Sequence, residues 1–226
     1  MEFIMGAGGV IVPPKDWVRA VARMCRERGI LLLADEALTG LGRTGKWFAF
    51  EHFEVVPDIV TTSKALGGGI PLCAVITSAE IADTATQRGF AQSASHMGDP
   101  FQCAVGLANL EVIEKKNLLE RAEAMGRILR QGLEELRMRF EVVGDVRGIG
   151  LLQGIELVKN KETKEPAPKL AGRVTLECLK RGLIIGGARP ESSESNVLRL
   201  APPLIITEQE IAKALDILEA SLQTCG

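Results

Sequence analysis

Histidine is scarce in this 226-residue chain, and cysteine is present without pattern. With only His52 and His96 available, a metal centre would need mostly carboxylate ligands. The five cysteines (Cys25, Cys73, Cys103, Cys178, Cys225) are scattered and odd in number, which excludes a disulfide framework or a paired-cysteine zinc site and implies reduced thiols in a cytoplasmic setting. The formal net charge is only -2, so there is no electrostatic footprint for nucleic acid or an anionic membrane. No uninterrupted apolar stretch is long enough to span a bilayer, no signal peptide is expected before the fold, and repeats and low-complexity tracts are absent. What remains has the composition of an ordinary globular protein, 46% hydrophobic and 25% charged, with length for one or two domains.

The most informative stretch runs from Gly29 to Lys64. An apolar run, residues 30–34, stops on Asp35 and Glu36. Short and apolar at consecutive positions, it reads as a parallel strand buried on both faces, and open α/β sheets place ligands beyond the carboxyl ends of such strands. A loop with Gly40, Gly42 and Gly45 follows, then a second short run (Ile59, Val60, Thr61, Thr62) leading to Ser63, Lys64 and the glycines 67–69. A lysine is thus placed like the aspartate, at a strand exit.

A partly desolvated lysine can attack a carbonyl as a free amine, and a carboxylate facing a pyridine nitrogen would hold that nitrogen protonated. Those are the two protein groups that a pyridoxal phosphate enzyme needs. At an effective dielectric near 20, unit charges about 4 Å apart attract by roughly 4 kcal/mol, enough to raise a pyridine pKa by about three units. Spacing alone leaves a plainer reading open, with Asp35 capping the next turn and Lys64 solvated. A nucleotide-binding reading fails on its own terms. Residues 40–46 fit the start of a P-loop, but Trp47 stands where that loop needs a hydroxyl for magnesium, and the loop follows the acidic strand when it should open a helix.

The text Ile30-Leu-Leu-Leu-Ala-Asp35-Glu36-Ala-Leu-Thr39-Gly40-Leu-Gly42-Arg43-Thr44-Gly45, followed by Pro57-Asp58-Ile-Val-Thr-Thr-Ser-Lys64-Ala-Leu-Gly67-Gly-Gly69-Ile-Pro71, resembles the class III aminotransferases, the ω-amino acid branch of the pyridoxal phosphate enzymes. The likeness extends from Met5-Gly6-Ala-Gly8-Gly9 to Leu198-Arg199-Leu-Ala-Pro202-Pro203. It implies an α/β fold: residues 1–116 as part of a fold-type I large domain, a mostly parallel sheet with helices, and residues 117–226 as a small α+β domain. It also implies an amino transfer between an amino acid or amine and a 2-oxo acid, and pyridoxal 5'-phosphate as cofactor. Lys64 would hold the cofactor, Asp35 its ring nitrogen, and Ala37 would pack on its ring. Ser95 would reach the cofactor phosphate of a neighbouring subunit in a homodimer, and Arg199 would take the substrate carboxylate.

Four positions depart from the family's usual wording. Leu38 stands where many members carry a Gln to the ring hydroxyl. Phe3 replaces a proline in a strand that lies well inside the full enzyme, so the chain is expected to correspond to a carboxyl-terminal half, partnered by a second copy or by a separate amino-terminal half. His96 with Asp99 resembles the dialkylglycine decarboxylase branch, which leaves a decarboxylating enzyme as one alternative. A non-catalytic truncated or partner subunit is the other.

Along the chain, Pro13 and Pro14 introduce a helix with Trp17, Val18, Val21, Ala22 and Met24 or Cys25 at helical spacing, closed by Gly29. The loop 39–54, carrying Arg43, Trp47 and Phe48, would cover the active site in the resemblance. Residues 72–77 read as a strand. Asp99 and Pro100 read as the cap and first residue of a helix containing Cys103, Ala104, Leu107, Leu110, Val112 and Ile113. An amphipathic helix over 119–136, strands at 140–146 and 151–158, an exposed loop at 159–169 and a helix to Lys180 follow. A strand at 183–185, a Gly/Ser-rich loop to Ser195, a strand at 197–200 and a helix over 208–222 complete the expectation. Without the resemblance, Arg199 also reads as a structural ion pair.

Overall fold

The computed structural model describes residues 1–90, 95–187 and 194–226. They form two compact units, one of Met1–Ile4, Pro13–Gly42 and Lys46–Leu118, the other of Met5–Val12, Arg43–Gly45 and Leu119–Gly226.

The first unit opens with α1 (Lys15–Glu27). Its buried line is Val18 and Cys25, with Val21 and Ala22 half-buried between them, while Trp17 and Met24, expected on the same face, lie at the surface. Gly29 at φ +64° ends the helix, and the Ile30 amide turns back to the Cys25 carbonyl at 2.8 Å. Three strands follow: β1 (Leu33–Asp35), β2 (Ile59–Thr62) and β3 (Ala74–Thr77), in the order β1-β2-β3. β1 and β2 are parallel, with Asp35 level with Thr61. β2 and β3 are antiparallel, so the sheet is mixed and not mostly parallel. The link from β2 to β3 is too short for the crossover that a parallel pair requires.

The apolar run before Asp35 differs from expectation. Only Leu33–Asp35 pairs as a strand, Leu32 and Ala34 are buried, and Ile30, Leu31 and Leu33 are exposed. Among the described residues one face of β1 is covered and the other is not. Met1 runs along its outer edge, its amino group donating to the Leu33 carbonyl and its carbonyl accepting from the Asp35 amide. Phe3 is fully buried and packs its ring 5.8 Å from Phe53 and 6.2 Å from Phe50, so the residue in the family's proline position is an aromatic anchor. Helices α2 (Ala79–Gln87) and α3 (Pro100–Lys115) complete the unit. Asp99 precedes α3 as expected, but its carboxylate caps no amide and lies 2.8 Å from His96 Nδ1.

The second unit is a four-stranded antiparallel sheet packed with three helices. α4 (Leu118–Arg139) leads into β4 (Val143–Ile149) and β5 (Leu152–Leu157). α5 (Pro168–Lys180), β6 (Gly186–Gly187), β7 (Val197–Leu200) and α6 (Glu208–Cys225) follow. The sheet order is β4-β5-β7-β6. Ala122, Met125, Leu129, Leu133 and Leu136 of α4 recur at helical spacing and bury against Ile155, Leu157, Leu198 and Leu218. The strand expected at 183–185 begins pairing three residues later, at Gly186, because the Leu183 amide is already committed to the Cys178 carbonyl that closes α5. Part of the Gly/Ser-rich loop expected before Ser195 lies outside the described residues.

Leu31, Leu33 and Val75 leave an apolar surface on the first unit, of a kind that drives association in water. Sedimentation at micromolar concentration is therefore expected to show species larger than a monomer. The exposed-site variant Leu31→Lys/Val75→Lys should move them toward monomer, and an ideal monomer boundary for the wild-type chain at every concentration would contradict this.

Candidate active site

Because β1 and β2 run in the same direction, their carboxyl ends open on one edge of the sheet. Asp35 is the last residue of β1, half-buried, and its Oδ1 accepts a hydrogen bond from the Ala37 amide at 3.1 Å. That bond turns the chain away from the strand and keeps the small Ala37 side chain beside the carboxylate. The Glu36 amide donates to the Thr61 carbonyl at 2.8 Å, extending the ladder one residue past Asp35.

Lys64 lies three residues beyond Thr61, at the surface, and opens a 3-10 turn, Lys64–Gly67. Its φ is +40°, a left-handed backbone that a residue with a Cβ adopts only under constraint. The constraint comes from α3. Asn109 Nδ2 donates to the Ala65 carbonyl at 2.5 Å and toward the Leu66 carbonyl at 3.4 Å. Gly106 lets α3 come close, since a Cβ there would stand 2.6 Å from Leu72 Cδ2 and 3.6 Å from the Leu66 carbonyl oxygen. The buried line of α3 is Gly106 and Ile113, and Leu107 lies at the surface.

Glu36, next to Asp35, is buried and does different work. Its carboxylate accepts from the Thr39 hydroxyl and from the Phe50 amide at 3.0 Å, tying β1 to the start of the next turn. Burial pushes its pKa above the ordinary 4.5, against the lowering effect of the Thr39, Ala49 and Phe50 hydrogen bonds. The loop it anchors is closed by the Leu41 amide on the Trp47 carbonyl and by Gly42 on Lys46.

The structure brings Asp35, Ala37 and Lys64 to one end of one sheet. Ser95 belongs to the same unit and is exposed in the turn before α3, whereas residues 91–94 lie outside the described part. Arg199 belongs to the second unit, on β7, half-buried, with Nη1 donating to the Gly6 carbonyl at 3.2 Å. Gly186 on β6 sits against its guanidinium, where a Cβ would be 3.3 Å from Nη2. In that unit too, Arg43 donates to the carbonyls of Leu151, at 3.2 Å, and Pro202, and burial pushes its pKa down. Arg147 is a strongly paired cation. Burial works to lower its pKa, but Asp145 and Glu156, at 2.8 and 2.5 Å, raise it above the ordinary value.

Sequence reasoning missed Glu36 and Asn109. The signal for each was a polar residue where the pattern around it is apolar, Glu36 closing a buried strand and Asn109 within the α3 stripe.

Asp35 and Lys64 thus leave two parallel strands at one edge of an α/β frame. The chain belongs to the class-III aminotransferase family, whose sequence model, "Aminotransferase class-III", matches residues 1–222. It is similar to the leucine/methionine racemase of Thermococcus litoralis, 44% identical over 221 residues that cover 98% of this chain and 48% of that protein. It is also similar to the acetylornithine aminotransferase of Caldanaerobacter subterraneus subsp. tengcongensis, 39% identical over 219 residues, 97% of this chain and 51% of that protein. A solved aminotransferase structure from Bacillus anthracis superposes with a TM-score of 0.92 at 40% identity, over 99% of this chain and 51% of that one. The chain thus spans about half the length of the curated relatives it matches.

Two outcomes are expected. Because folding raises the Glu36 pKa, the folded state holds that proton more tightly. The contribution to stability is full below the unfolded value near 4.5 and is lost as pH rises through the folded value. Glu36→Gln should therefore gain in melting temperature relative to wild type as pH goes from 4 to 7, and a constant or shrinking difference would refute the assignment. Asn109→Leu should cost about 1–3 kcal/mol in denaturant melts, and a neutral result would show that the Lys64 turn needs no such tie.

Proposed function

We propose that this chain carries the machinery of a pyridoxal phosphate-dependent aminotransferase, which moves an amino group between an amino acid or amine and a 2-oxo acid. The observation that carries the proposal is the common edge on which Asp35 and Lys64 end, set by the parallel register of β1 and β2.

The residues present fit the cofactor chemically. Asp35 is a half-buried acceptor whose orientation is fixed by the Ala37 amide, suited to keeping a pyridine nitrogen protonated. Ala37 is small enough to lie under a flat ring. Lys64 is exposed on a constrained turn, available to a carbonyl. When bound, pyridoxal phosphate supplies an electron sink for charge developing at the substrate α-carbon. Lys64 would hold the cofactor through its amine, and Nζ would take a proton from the substrate α-carbon and later return one. Ser95 would offer its hydroxyl to a phosphate across a homodimer interface. Arg199, whose planar fork suits a carboxylate, would orient the substrate. In this reading residues 1–116 are the cofactor-binding part and residues 117–226 a small α+β domain.

A second reading is favoured by one comparison, the 44% identity to a leucine/methionine racemase. In that reading Lys64 would still move the α-proton, but the amino group would stay on the substrate.

The test is to mix the purified chain with pyridoxal phosphate, reduce with borohydride and map the modified residue by mass spectrometry. Labelling is expected at Lys64 and absent from Lys64→Ala. Scattered or absent labelling in protein with native circular dichroism would overturn the proposal. In a separate, unreduced sample supplied with pyridoxal phosphate, amino transfer to a 2-oxo acid should be at least about a hundredfold slower in Lys64→Ala than in the wild-type chain. Inversion of a single amino acid enantiomer without oxo acid production would favour the racemase reading.

A further inference from the structure

The register divides the first unit's sheet into two faces. Asp35 and Thr61 share one, and Ala34, Val60, Thr62 and Ile76 share the other. On that second face lies a cavity of about 480 Å³ that the aminotransferase reading does not use. Its floor is Thr62 and Ile76, its walls are Trp47 and Phe48 from the loop and Leu107 from α3, and Glu111 and Glu114 stand in its lining.

Two independent features give this cavity a chemistry. Thr62 is 97% buried, at 3% exposure, and its hydroxyl has no hydrogen-bond partner among the described residues. A hydroxyl left so is costly, and the cost is removed by a ligand atom that bonds to it. The exposed carboxylates carry negative charge: Glu111 is paired with Lys115 at 2.7 Å, and Glu114 has no ion pair among the described residues. Between the two polar features the lining is apolar and aromatic, with Phe48 stacked on Phe50 at 5.4 Å.

We propose that this cavity binds a small amphiphilic amine: an apolar, preferably aromatic, body against Trp47, Phe48 and Leu107, an ammonium beside Glu114 and Glu111, and a hydrogen-bonding atom at the far end on Thr62 Oγ1. The volume is that of an ordinary small-molecule site, the carboxylates select a cation over an anion, and the aromatic walls favour a flat body and a nearby positive charge. The site lies on the face of the sheet opposite Asp35, with Thr62 at the end of β2 and Leu66 of the Lys64 turn in its lining, and its occupation does not depend on the amino-transfer reading.

Tyramine, with an ammonium, a ring and a phenolic hydroxyl, is the probe. Its counterparts are phenethylamine, which lacks the hydroxyl, and hydroxyphenylpropionate, which carries a carboxylate in place of the ammonium. Titration calorimetry on the full chain without added pyridoxal phosphate should give saturable binding of tyramine and none of the carboxylate. Thr62→Val should weaken tyramine about three- to tenfold, bring it level with phenethylamine, and raise the melting temperature by removing the orphaned hydroxyl. Glu111→Gln/Glu114→Gln should abolish the preference for the amine. Leu107→Trp, at a position 64% exposed and therefore tolerant of size, should block binding. Lys64→Ala should leave it unchanged.

The proposal is overturned by no saturable binding, by equal binding of the carboxylate, or by binding that survives Leu107→Trp. It is also overturned if tyramine binding disappears at protein concentrations where the chain self-associates, which would make the cavity an interface between copies. Loss of binding in Lys64→Ala would assign the amine to the strand-end site instead.

Discussion

The parallel ladder between β1 and β2 is fastened at both ends. At its start the Asp58 carboxylate accepts from the Leu32 amide at 2.7 Å while the Asp58 amide donates to the Leu32 carbonyl at 2.9 Å. At its finish the Glu36 amide reaches the Thr61 carbonyl. Two strands held in this way cannot slip, and a slip of one residue would turn Asp35 to the opposite face. Everything argued for the strand-end edge depends on that register. So does the separation of the edge from the cavity over Thr62.

Two ways of burying charge appear in the chain. Glu36 has hydrogen-bond donors around it, yet desolvation wins and its acid form is favoured. Arg147 is only partly buried and is met by two carboxylates, and there the pairing wins. The difference is one of partner charge: donors without net charge soften desolvation, whereas opposite charges in contact reverse it. Glu36 accordingly acts as a hydrogen-bonding brace for the loop it anchors, and Arg147 as a fixed ionic tie that also holds the Gly9 carbonyl at 2.8 Å.

Elements with a strong period were legible in the sequence. β2, β7 and α4 come where the alternation and the helical stripe put them, because each buries its pattern against neighbours that are present. The run before Asp35 was misread as buried on both faces because an apolar segment does not reveal which of its sides is covered. The packing of α3 was not legible for another reason. Gly106 carries no apolar signal, but its missing Cβ decides which side of the helix approaches the Lys64 turn. Lys64, Asp35 and Arg199 stood out by wording. Asn109 and the unpartnered Thr62 hydroxyl could not, since their meaning comes from atoms far away in sequence.

The backbone of Lys64 has one more consequence. A side-chain-bearing residue at φ +40° gives up free energy that a glycine at the same place would not. Replacing the lysine with glycine would relieve the turn, so the loss of the Lys64 amine and a gain in resistance to unfolding would come from the same substitution.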